Sequence, residues 1–64
     1  MTHEIRKKYI EAGYQTTINL NEKDAYNRMV ETRELSFRNP LDIELEWIAL
    51  GSASAYSDIL ESKK

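Results

Sequence analysis

Apolar residues recur at helical spacing along most of the chain, and the longest such run extends from Leu41 to Leu60. At 100° per residue one side of this run is a stripe typical of a helix that packs on a core. Its members are Leu41, Leu45, Ile48, Ala55, Tyr56 and Ile59, with Ser52 as the polar member. Asn39 and Pro40 precede it as a predicted N-cap and first helical residue. The pattern therefore predicts a helix over residues 40–61.

Two features of this run allow other interpretations. Residues 41–47 alternate between apolar and acidic, which is the pattern of a strand, but Leu and Glu favour a helix and the periodicity continues to Ile59. Gly51 lies among small residues and weakens a helix by about 1 kcal/mol relative to Ala. It indicates either a close crossing of two helices or a kink between two shorter ones.

Two shorter helices are predicted before this run. The first covers residues 3–12, and Gly13 is expected to end it. The second covers residues 21–35, with Asn21 as its N-cap and a stripe of Ala25, Tyr26, Met29 and Val30. Between them, residues 15–20 contain β-branched Thr and Ile, which favour an extended segment, although a packed linker fits as well. We expect a mainly α fold, with residues 1–64 forming a single small helical domain.

Composition restricts the class of protein. A chain of 64 residues buries only about 60% of its unfolded surface, so oligomerisation is an expected source of stability. There are no cysteines and no apolar run of about 18 residues, which predicts a cytoplasmic protein that does not enter a membrane. The net charge is −2, and it is uneven: residues 34–64 carry three basic against six acidic side chains.

The sequence contains no pattern that predicts catalysis. His3 is the only histidine, whereas a zinc site needs three or four ligands and a catalytic relay needs an oriented base beside a nucleophile. Two glycines 38 positions apart cannot build a phosphate-binding loop. We expect a protein without enzymatic activity, catalytic residues, metal or cofactor.

A second apolar face on the predicted third helix indicates protein–protein contact. Trp and Tyr contribute strongly at interfaces, and Trp47 is the only tryptophan. We predict that this face mediates self-association, most simply as a dimer, and also binds another protein that the sequence does not identify. The predicted interface residues are Ile43, Trp47, Leu50, Gly51 and Ser54.

In its length, its initiator Met, its acidity and its lack of cysteine the whole chain resembles the small accessory proteins of lambda-like temperate phages. The resemblance involves no specific motif and transfers no functional residue. It implies a regulatory protein in the host cytoplasm that modulates host physiology or phage development through protein–protein contacts.

An alternative interpretation is a ribbon-helix-helix transcriptional regulator. Residues 17–20 resemble the strand of that family, in which polar residues read the major groove. The nucleic-acid candidates are Gln15, Thr17 and Asn19 as base readers, with Arg6, Lys7 and Lys8 as phosphate contacts. Nucleic acid is the less favoured partner, because DNA affinity depends largely on cations and the chain is acidic.

Overall fold

The computed structural model describes residues 2–63, which form three α-helices and no strand. Helix α1 is Thr2–Ile18, α2 is Glu22–Arg38 and α3 is Ile43–Ser62. Both α1 and α2 pack on α3 and contact each other only slightly, so α3 is the central element. The predicted mainly α fold of three helices is confirmed.

Contacts along the helices define their directions. Tyr9 lies near Trp47 and Tyr14 near Asp58, so α1 runs in the same direction as α3. The Tyr26 ring, early in α2, meets the ring of Tyr56, late in α3, so these two helices are antiparallel. The α2/α3 hairpin therefore carries α1 on one of its sides.

The prediction that the first helix ends at Gly13 is wrong, and so is the prediction of an extended segment over residues 15–20. Helix α1 continues through Gly13 to Ile18, and neither glycine has a positive φ, so Gly13 does not act as a C-cap. The Thr17 hydroxyl donates to the carbonyl oxygen of Gly13, one turn earlier, at 2.8 Å. This bond satisfies the Thr17 hydroxyl within the helix, where burial would otherwise make it costly. Only the short turn at residues 19–21 separates α1 from α2.

The helix caps confirm one prediction and correct another. Asn21 is the N-cap of α2, and its side chain accepts a hydrogen bond from the Asp24 amide at 2.8 Å. Asn39, predicted to cap α3, is instead the C-cap of α2, and its side-chain amide donates to the Leu35 carbonyl at 2.9 Å. Asp42 is the N-cap of α3. Helix α3 therefore begins three residues later than predicted, and it is continuous through Gly51 without a break.

Leu41 is consequently not a core residue. It lies in the turn between α2 and α3 with 96% of its surface exposed, because the helix that would have directed it inward starts only at Ile43. The rest of the predicted stripe is buried or half-buried, and Ser52, its polar member, is fully buried.

Small residues form the centre of the molecule. Ala25, Ala55, Thr17 and Ser52 are fully buried, and Ile59 is the one large side chain in the buried group. The two glycines permit this close packing of α1 on α3. A Cβ atom on Gly51 would overlap the Ile10 carbonyl oxygen and lie 2.8 Å from the Tyr14 amide nitrogen. Of the two interpretations of Gly51, the close helix crossing is the one observed.

Candidate protein-interaction surfaces

Among residues 3–63, eight large apolar side chains are exposed and most of the others are only half-buried. The exposed ones are Ile5, Tyr26, Leu35, Phe37, Leu41, Ile43, Leu50 and Leu60. The chain has an accessible surface of 4876 Å², whereas a compact monomer of its 7.5 kDa mass exposes about 4250 Å². The excess surface and its apolar content indicate surfaces that another polypeptide could cover.

The first of these surfaces is the connection between α2 and α3 together with the start of α3, residues 39–44, which we call the turn end. Leu41 is 96% exposed and Ile43 is 52% exposed. Acidic Asp42 and Glu44 alternate with them. Arg38 lines the same surface and pairs with Glu34, 3.2 Å away on the same helix, so these four charged side chains together leave the turn end with a net negative charge. The turn end is therefore an apolar surface with a negative rim.

The second surface is a groove between α2 and α3, which we call the α2/α3 groove. Its lining includes Arg33 and Phe37 from α2 and Glu46, Ala49, Leu50 and Ala53 from α3. Phe37 is 75% exposed and Leu50 is 48% exposed. Ala53 lies 200° around α3 from Gly51, which contacts α1, so the groove is on the side of the hairpin away from α1.

Beyond the groove, towards the other end of the hairpin, the same side of α2 has further apolar residues. Tyr26, Val30, Arg33 and Phe37 follow the spacing i, i+4, i+7 and i+11, so they share one side of α2. The rings of Tyr26 and Tyr56 meet edge to face there, with their centroids 5.6 Å apart. From Tyr26 to Phe37 the apolar side of α2 is about 16 Å long at 1.5 Å per residue.

The structure divides the predicted interface residues between two sides of α3. Ile43, Leu50 and Ser54 are exposed. Trp47 is half-buried against α1, with its ring centroid 6.1 Å from that of Tyr9, and Gly51 is buried at the helix crossing. Sequence reasoning included neither Phe37 nor Leu41 in the interface. The continuation of the α2 stripe from Tyr26 could have indicated Phe37, and Asp42, as favourable an N-cap type as Asn39, could have indicated that Leu41 precedes the helix.

The nucleic-acid candidates do not form a common reading surface. Gln15 is exposed on α1 and Asn19 is exposed after it, but Thr17, between them, is fully buried. A ribbon-helix-helix protein needs an extended strand at these positions, and residues 15–18 are helical. The ribbon interpretation is therefore wrong. The cations Arg6, Lys7 and Lys8 remain as exposed side chains on α1.

Two tyrosines with raised pKa values join α1 to α3. The Tyr14 hydroxyl donates to a carboxylate oxygen of Asp58 at 2.6 Å, and this bond, followed by burial and the Asp58 charge, raises the pKa of Tyr14 above 10.0. Glu44 raises the pKa of Tyr9 in the same way, chiefly through hydrogen bonding. The Tyr14–Asp58 bond ties α1 to α3, and both carboxylates favour the protonated form of the neighbouring phenol.

Within residues 2–63 no cluster of three or more His, Asp or Glu side chains is placed to hold a metal ion. In the same range every buried side-chain nitrogen and oxygen has a hydrogen-bond partner.

Comparison with known proteins found no relative of this chain. No protein-family model, no curated protein and no solved structure matches the chain. None of the three helices, over the described range, is long and apolar enough to span a membrane.

Proposed function

We propose that this chain is a non-catalytic protein-interaction module that binds a second protein through its turn end. The observation that carries the proposal is the position of Leu41, a large apolar side chain 96% exposed in a short turn held by a helix cap on each side. Leu41 lines one surface together with Ile43, and a contiguous exposed apolar patch, unlike a single exposed residue, marks an interaction site.

The chemistry of the turn end defines the kind of partner. Leu41 and Ile43 require an apolar pocket, and Asp42 and Glu44 favour basic side chains around its edge. Residues 34–64 carry three basic and six acidic side chains, so this half of the chain adds to the attraction. We therefore propose a partner protein with an apolar pocket rimmed by Lys or Arg.

We further propose that the module acts in the cytoplasm and has a regulatory role. The absence of cysteine from the sequence and the resemblance to temperate-phage accessory proteins support this assignment. Under that resemblance the partner is a regulatory protein of the host or of the phage.

Photo-crosslinking tests the turn end directly. A photoreactive phenylalanine analogue at position 41, in cells that express the chain, should give an adduct with a second polypeptide that mass spectrometry can identify. The matched control places the same analogue at position 19, an exposed position in the other turn. The Ile43→Ser variant should reduce the adduct formed at position 41, because it removes apolar contact area without touching the reactive group.

Two results would contradict the proposal. An adduct yield at position 41 no higher than at position 19 would show that the turn end is unoccupied. Adducts formed only between copies of this chain would show that it has no separate partner.

A further inference from the structure

The α2/α3 groove remains uncovered while α1 occupies the opposite side of the hairpin. Its apolar members Phe37 and Leu50 are more exposed than Ile59, which is buried at 9% exposure. A stable dimer typically buries about 800 Å² per subunit, so the interface must extend along both helices beyond Phe37 and Leu50. The hairpin of a second chain would cover this groove, so that the two hairpins together would pack as a four-helix bundle.

Charge complementarity identifies the occupant. Arg33 and Glu46 both line the groove, and within residues 2–63 neither makes an ion pair. A twofold-symmetric interface brings residue i of one copy to residue j of the other, and j to i. One cation and one anion on the same groove can therefore form two ion pairs between two identical chains.

We propose that the α2/α3 groove is the interface of a homodimer whose twofold axis runs along the helices. In this arrangement α2 of one copy faces α3 of the other, and both turn ends lie at the same end. Arg33 then faces the partner's Glu46, and the same contact occurs twice. If the twofold axis ran across the helices, α2 of one copy would face α2 of the other, and Arg33 would lie far from the partner's Glu46.

This dimer extends the proposed function. The role that it gives to the two turn ends rests on that proposed function, but the dimer itself does not. Two copies of Leu41 and Ile43 would lie at one end of the dimer and form a larger binding surface for the partner protein. Phe37 and Leu50 would be buried between the copies, with the Arg33–Glu46 pairs at the margin of the interface. The groove and the turn end thus have separate occupants.

Charge exchange between two chains tests the arrangement. In the Arg33→Glu variant two acidic groups face each other at both contacts, and in Glu46→Arg two basic groups do. Each variant should weaken dimerisation at least about tenfold, because like charges brought together at an interface repel. An equimolar mixture of the two variants should form a heterodimer with two restored ion pairs, and its Kd should return close to that of the wild type.

Sedimentation equilibrium provides the readout, with circular dichroism confirming that each variant remains helical. Both substituted side chains are exposed, so the monomer fold should tolerate them. Matched controls are Glu31→Arg and Lys8→Glu, which make the same charge changes at exposed positions on α2 and α1. Neither control should change the wild-type Kd, and mixing them should have no effect.

The possible failures are distinguishable. A wild-type chain that sediments as a 7.5 kDa monomer at all concentrations would overturn the dimer. Variants that dissociate but do not recover on mixing would overturn the axis along the helices, and with it the inference. In either case an adduct at position 41 with a different protein would leave the proposed function standing. A dimer that both variants weaken and that their mixture restores would support the inference even without such an adduct, whereas a dimer that neither variant weakens would overturn it.

Discussion

The hydroxyl oxygens of Thr17 and Ser52 lie 3.1 Å apart in the interior, where α1 crosses α3. Both residues are fully buried, and both hydroxyls approach the carbonyl oxygen of Gly13, at 2.8 Å from Thr17 and 3.4 Å from Ser52. Each hydroxyl has a single proton, so one of them donates across this contact and the other donates to the Gly13 carbonyl, which leaves both buried hydroxyls with a partner. The pair joins the two helices at the same level as their closest backbone approach.

A double-mutant cycle should detect this coupling. Thr17→Val keeps the shape of the side chain but leaves the Ser52 hydroxyl without its closest partner, so we expect a loss of about 1–2 kcal/mol in the free energy of unfolding. Ser52→Ala should cost less, because Thr17 keeps its bond to the Gly13 carbonyl, and the double variant should cost less than the sum of the two. Urea denaturation at one fixed protein concentration measures all four chains. Additive losses would mean that the two hydroxyls do not interact.

Gly51→Ala should destabilise the fold, although alanine is the better helix former. The new Cβ would overlap the Ile10 carbonyl oxygen, and relief requires the backbones of α1 and α3 to separate. We expect a loss of at least about 1–3 kcal/mol in the free energy of unfolding from this overpacking. Ser54→Ala, on an exposed side of the same helix, is the control and should have no effect or stabilise slightly. A Gly51→Ala chain more stable than the wild type would contradict the close crossing.

The sequence predicted the centres of the helices better than their ends. The hydrophobic stripes of α2 and α3 are long enough to determine helix type, and Asn21 is an N-cap whose evidence is entirely local. Gly13 failed as a boundary because glycine serves equally at a helix end and at a close helix crossing. Only the contact with Ile48, on a helix 35 positions later, distinguishes the two uses.

The predicted interface residues lie on two sides of α3 for a related reason. Trp47, Ile43 and Leu50 share one side of α3 on a helical wheel, but a wheel does not show where a neighbouring helix lies. Because α1 runs in the same direction as α3, it brings Tyr9 over Trp47 and leaves Ile43 and Leu50 exposed. Tertiary packing therefore decides which residues of the predicted face are covered and which remain exposed.

The contact between Tyr14 and Asp58 should make stability depend on pH in the alkaline range. The folded pKa of Tyr14 is raised above its ordinary 10.0, so the protonated phenol is favoured in the folded chain. Its contribution is complete below pH 10 and is lost as the pH rises through the folded pKa. The Tyr14→Phe variant should unfold at lower urea than the wild type at pH 8, and the difference should decrease progressively above pH 10.

Asp58→Asn is the control for this pH dependence. It removes the charge and weakens the acceptor, so the pKa of Tyr14 should move back towards 10.0, which an absorbance titration of tyrosinate can follow. A difference between wild type and Tyr14→Phe that stays constant up to pH 12 would show that the phenol does not bond to Asp58 in the folded chain.

Asp42→Ala should weaken the start of α3, because Asp42 and not Asn39 caps that helix. The Asp42 side chain accepts a hydrogen bond from the Leu45 amide at 3.3 Å, and loss of an N-cap costs about 1 kcal/mol. Asp42→Asn keeps an acceptor oxygen and should retain most of the stability, the remainder reporting the interaction of the charge with the helix dipole. Amide hydrogen exchange distinguishes the two caps: Asp42→Ala should accelerate exchange at Leu45, whereas Asn39→Ala should loosen the last turn of α2. If Asn39→Ala instead accelerated exchange at Leu45 and Asp42→Ala did not, α3 would begin at the earlier cap.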